Sequence, residues 1–191
     1  DPTAAAYAHQ GEVLWESLDV SPAADDGHGC MALAVRSVPG VTPAGIDIFH
    51  GATLSYPDPS ATIAGQPGHA VVGTIRWMLW QAGVMTTVSG PIFLDAGVSP
   101  SQRPGHLVSG LAVGDVLDTL AGDELVVTTL AGDLYVFQLT STTIVTPAVV
   151  HTWVPASLGA FNSIAIDDLD WDLRKEIYVG SSQGLWKWRQ N

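Results

Sequence analysis

The sequence has little of several things, and each scarcity removes a class of protein. Its single cysteine, Cys30, cannot close an internal disulfide and reads as a small buried hydrophobe at the start of a strand. Only seven basic residues stand against nineteen acidic ones, a net charge of −12. That balance disfavours nucleic-acid backbones and anionic membranes as partners and makes cations the natural counterpart. No apolar run approaches the roughly 18 residues of a membrane helix. Arg76, for example, interrupts the apolar segment around Trp77. No secretory leader is visible at Asp1, so the start is silent about export. The G-x-S-x-G elbow, H-E-x-x-H helix, P-loop and dinucleotide fingerprint are all missing, and no catalytic cysteine has a credible partner. Helical 3.6-residue periodicity is scarce as well.

In its place, short runs of Val, Ile, Thr and aromatic residues are broken by 20 glycines and 12 prolines, the composition of an all-β fold. Five times an apolar segment meets a glycine and leaves again as a second apolar segment. These glycines, Gly11, Gly51, Gly90, Gly132 and Gly184, lie 40, 39, 42 and 52 residues apart. That is the period of four-stranded propeller blades. Upstream of the hairpins, GHGCMALAVRSV from Gly27, GHAVVGTIRWML from Gly68 and GHLVSGLAVGDV from Gly105 align without gaps, with LGAFNSIAIDDL from Leu158 as a looser fourth. The expectation is one β-propeller domain of four-stranded antiparallel blades, with a hairpin turn at each glycine. It comprises a partial blade over 1–22, blades over about 23–63, 64–101 and 102–157, and a last blade over 158–191. Four to five blades with incomplete ends imply part of a larger ring of about seven. A missing N-terminal segment or a second chain would complete it; closure of the first strands onto the last blade is the alternative.

The strongest chemical signal is IDDLDWDLRKEIYVG. Asp168, Asp170 and Asp172 alternate, and Glu176 follows four residues later. In a tight loop these carboxylates, with the Arg174 carbonyl, supply a hard cation with oxygen ligands, so calcium is expected. An EF-hand is excluded by Leu173 and Val179, where that loop needs Gly and Glu. Strand, Asp-x-Asp-x-Asp loop, Glu-Ile-Tyr-Val-Gly strand and glycine turn together resemble the FG-GAP/VCBS class of β-propeller repeats. The resemblance implies a structural calcium between the first two strands of a blade. GDVLDTLAGDELVV is a weaker match, with Asp115, Asp118, Asp123 and Glu124 at altered spacing. Leu173 departs from the family's glycine and would have to adopt a positive φ.

His28, His69 and His106 share one repeat position, just before the strand expected to line a central channel. An arc of imidazoles there would bind a transition metal or act as a general base; the other reading is a repeated turn residue that bonds neighbouring backbone. GEVLW and DDGHG resemble rhamnogalacturonan-type polysaccharide lyases, which implies an alternative activity on acidic glycans. Seven tryptophans are many for this length. Trp186 and Trp188 alternate on one strand face, as blade-packing residues would. Trp171 falls inside the acidic loop, where its ring can stack on a sugar or cover the neighbouring loop. Three expectations result: a calcium-stiffened binding or scaffolding module with a protein or carbohydrate ligand; a polysaccharide lyase; or a structural subunit of a larger assembly. Millimolar external calcium suits a weak acidic loop, so the expected location is extracellular or periplasmic.

Overall fold

The structure is a computed structural model that describes residues 29–38, 45–63, 66–94, 107–140, 144–152, 161–181 and 183–190. All its regular elements are strands, in three antiparallel sheets whose strands follow one another in chain order. The first sheet holds β1 (Gly29–Val38), β2 (Gly45–Ile63), β3 (Gln66–Gln81) and β4 (Val84–Phe93). The second holds β5 (Val108–Gly114), β6 (Glu124–Thr129), β7 (Asp133–Leu139) and β8 (Ile144–Thr152). The third holds β9 (Phe161–Asp167), β10 (Glu176–Ser181) and β11 (Gly184–Trp188). None of the three sheets closes on itself.

Two of the expected turn glycines make turns. Gly132 sits at φ +88 in the three-residue β6–β7 connection, and its amide donates to the Thr129 carbonyl at 3.1 Å. Gly184 opens β11 at φ +148. Both lie in the backbone region that side chains disfavour. Gly51 and Gly90 are not turns, which corrects the rhythm read from the sequence. Gly51 lies within β2, paired with Ala32 on one side and Ile75 on the other. Gly90 lies within β4, opposite the register irregularity around Trp77, a frequent place for a strand glycine. The tight hairpin of this region is instead Ala82–Gly83, with φ of 52 and 80, joining the Gln81 and Val84 pair. Two successive positive φ values fit a two-residue type I′ connection. Consequently β1, β2, β3 and β4 form one sheet where two blades had been expected, and the segment from Gly68 becomes part of a third strand rather than a first.

Sheet two is the middle layer, and its sequence reflects that. Successive strand residues face opposite sides, yet every residue of β6 is buried. Leu125, Val127, Phe137 and Leu139 pack toward Ala34, Phe49, Ile75 and Trp77 of the first sheet. Val126, Leu134 and Val136 pack toward Phe161, Ile177 and Val179 of the third, with Trp186 and Trp188 against the same cluster. A strand covered on both faces needs a continuous apolar run, and ELVV and DLYVF supply one. The first strands of the sheets lie side by side, β1 against β5 and β5 against β9. Glycines permit that approach. A Cβ on Gly110 would stand 2.9 Å from Ile164 Cγ2, and one on Gly114 would stand 3.1 Å from Ile166 Cγ2.

Candidate metal centre

Residues 168–175 join β9 to β10 as a loop folded on its own backbone. Asp168 is its organiser: Oδ1 accepts from the Asp172 amide at 3.1 Å and Oδ2 from the Leu173 amide at 2.8 Å. Asp172 Oδ1 then accepts from the Arg174 amide at 3.0 Å. Closing the loop this tightly forces two large residues into left-handed backbone, Trp171 at φ 61 and Leu173 at φ 69, each at a cost of about 1 kcal/mol or more. The positive φ anticipated at Leu173 is therefore present, and Trp171 shares it. Asp168, Asp170 and Asp172 alternate along the loop with larger apolar residues. Those apolar residues are exposed, Leu169 57%, Trp171 86% and Leu173 94%.

Asp168, Asp170 and Glu176 each offer a carboxylate oxygen, all within 4.8 Å of one another, and no other such group of His, Cys, Asp or Glu occurs among the described residues. Glu176 is the first residue of β10, opposite Asp167, and is fully buried. Its Oε2 accepts from the Tyr178 hydroxyl at 3.2 Å. Asp172 stays outside the triad, with its Oδ2 2.9 Å from Arg189 NH1. The Arg174 side chain reaches away to the β5–β6 loop, its Nε 3.2 Å from Asp118 Oδ2.

Two cations that sequence reasoning did not single out converge on the carboxylates. Lys187 Nζ donates to Asp170 Oδ2 at 2.8 Å and forms an ion pair with Glu176 Oε1 at 2.9 Å, an oxygen with no aligned hydrogen bond. Arg189 NH1 lies 3.8 Å from Asp170 Oδ2 and 3.7 Å from Glu176 Oε1. The Lys187 hydrogen bond holds the Asp170 carboxyl below its ordinary range. The same contacts with Asp170 and Glu176 push the Lys187 ammonium above its own. The legible hint was WKWR itself, a basic residue alternating with half-buried tryptophans on a strand paired to the one that Glu176 begins.

The weaker acidic loop is organised differently. Glu124 matches Glu176 as the first, fully buried residue of a second strand, but its Oε2 accepts from the Val116 and Leu117 amides at 2.9 and 3.2 Å. Asp118 is drawn to Arg174, and Asp123 to Arg36 NH1 at 3.4 Å. Asp115, Asp118 and Asp123 are thus not gathered into a ligand group. Burial raises the Glu124 carboxyl above its ordinary 4.5 against the two amide bonds, with Asp115 and Asp123 adding to the rise. A raised carboxyl makes the folded state favour protonation, so the stability it contributes is complete at low pH and is lost as pH climbs through its folded value. Glu124→Gln removes that loss. Its urea midpoint should gain on the wild type as pH rises above the ordinary carboxyl value and level off once the folded carboxyl has ionised; a difference constant with pH would contradict this.

Of the aligned histidines, His28 and His106 lie outside the described residues. His69 lies in β3 opposite Pro57, with its side chain outside the description. Its strand is the third of a sheet, so it does not occupy the entry to a first strand that an axial arc needs. Trp77, by contrast, is buried and donates its indole N–H to Asp47 Oδ1 at 2.8 Å. Compared with protein-family models, with curated proteins and with solved structures, this chain matches none.

Proposed function

We propose that the protein is a propeller-type binding or scaffolding module stiffened by calcium at the β9–β10 loop, resembling the FG-GAP/VCBS repeats. The observation that carries this reading is the convergence of Asp168, Asp170 and Glu176 within 4.8 Å at the junction of a first and second strand. Carboxylate oxygens are hard ligands, suited to calcium rather than to a transition metal that prefers imidazole or thiolate. Asp172 and the Arg174 carbonyl would complete the set. The ion would supply a cross-link between β9, the loop and β10, and the loop would then present Leu169, Trp171 and Leu173 on a stiff base. An exposed tryptophan between leucines is a contact surface for a protein or a glycan. Side-by-side first strands support the propeller arrangement, and a weak oxygen site suits an extracellular or periplasmic location.

The test is equilibrium dialysis of chelator-stripped protein against millimolar calcium, followed by elemental analysis. About one calcium per chain is expected in the wild type and none in Asp170→Ala. A wild type that retains no calcium sinks the reading.

A further inference from the structure

The geometry points to Lys187 as a tethered counter-cation: its ammonium holds the Asp168–Glu176 loop together without an ion, and a divalent cation enters by displacing it. This rests on the calcium reading above and adds how that site is regulated.

Glu176 poses the problem that Lys187 answers. It is fully buried and shares a 4.8 Å group with two other carboxylates, a concentration of negative charge that calls for a positive charge among them. Few oxygens in the group are uncommitted. Asp168 has given both to loop amides, and Glu176 Oε2 to the Tyr178 hydroxyl. The ammonium takes Asp170 Oδ2 and Glu176 Oε1. An ion binding Asp170 and Glu176 at the 2.3–2.6 Å usual for calcium would compete with it for those oxygens and repel it at close range.

Strand register puts the lysine there. Lys187 pairs with Tyr178 across the β10–β11 ladder, and Tyr178 is two residues beyond Glu176, on the same face. The four-carbon stem passes the Tyr178 ring, with Nζ 6.0 Å from its centroid, and brings the ammonium back over Glu176. The side chain is 40% exposed, so once an ion takes over its two carboxylate partners the ammonium can swing into solvent. Arg189 NH1 is held by Asp172 at 2.9 Å and stands farther from the two contested oxygens, at 3.8 and 3.7 Å, than the ammonium does. The exchange therefore has an output. At low calcium Lys187 is paired with Asp170 and Glu176; at high calcium the ion takes its place and the ammonium is released to solvent.

Lys187→Met, Lys187→Arg and the wild type, each stripped with chelator, test this with calcium chloride as the only probe. Thermal midpoints are read in chelator and in calcium, and affinity by titration calorimetry. Lys187→Met should melt below the wild type in chelator, regain the difference in calcium and bind calcium at least tenfold more tightly. Should it fail to fold in chelator, folding on addition of calcium is the same result. Lys187→Arg keeps the charge and should gain less affinity. The exchange is overturned if Lys187→Met matches the wild type in chelator, or binds calcium no more tightly while the wild type still binds it; that second outcome leaves the calcium reading standing. Lower melting of Lys187→Met with no calcium uptake by either protein also overturns it, and then the calcium reading falls too.

Discussion

Asp47→Ala should cost about 3 kcal/mol, the lower end of the range for removing one partner of a buried ion pair, because the Arg36 side chain is 22% exposed. Asp47 is 3% exposed on β2 and holds three donors. Arg36 of β1 reaches its Oδ2 through Nε at 3.1 Å and NH2 at 2.7 Å, while Trp77 of β3 donates to Oδ1 at 2.8 Å. Alanine would leave the buried Trp77 indole N–H without its acceptor and the partly buried Arg36 guanidinium with Asp123 alone. The damage would spread beyond one sheet. Arg36 also bonds Asp123 in the β5–β6 loop and lies 5.9 Å from the ring centroids of both Phe49 and Trp77, so it ties the first sheet to the second. Urea unfolding is the measurement: the midpoint should fall with the slope unchanged.

The double variant Arg36→Met, Asp47→Leu separates the pair's net worth from the penalty of breaking it. With both charges gone the desolvation cost disappears, and the remaining deficits are the Trp77 N–H and the link to Asp123. We expect stability to return to within about 2 kcal/mol of the wild type. A double variant as unstable as Asp47→Ala alone would mean that side-chain shape, rather than charge pairing, holds this corner.

Neither residue stood out in the sequence, although each interrupts an apolar strand. Their meaning depends on register, since Arg36 faces Asp47 only once β1 and β2 are aligned. The same holds for Lys187, whose place over Glu176 follows from the Tyr178 pairing. The acidic loop was legible because alternation within nine residues is a local signal, and a loop that short brings Asp168, Asp170 and Glu176 together whatever the sheets around it do. Local signals also found the turns at Gly132 and Gly184, where positive φ needs glycine. They misread Gly51 and Gly90, because a glycine used inside a strand, for close approach at Gly51 or opposite a register irregularity at Gly90, is the same letter as one required for a turn. That confusion turned the sheet of β1, β2, β3 and β4 into two.

Gly51→Ala distinguishes those two uses of glycine. In a strand without backbone strain, alanine for glycine should be worth about 0.5–1 kcal/mol in stability. At Gly51 a Cβ would stand 2.6 Å from Val108 Cγ1 and 3.2 Å from Leu111 Cδ1. Val108 is fully buried and begins β5, so it has little room to retreat. Overpacking of this kind costs about 1–3 kcal/mol and outweighs the gain, giving an expected net loss of about 1–2 kcal/mol in urea unfolding. Val108→Ala removes the atoms that the new methyl meets. By itself it should destabilise through a cavity, yet in combination with Gly51→Ala the two losses should sum to less than their parts, a coupling of about 1 kcal/mol. Strict additivity would place the two residues out of contact and deny Gly51 its role in seating the first sheet on the second. A favourable coupling would identify the close approach of β2 to β5 as the reason for glycine there, since any conformational effect of alanine on β2 is indifferent to the side chain at 108.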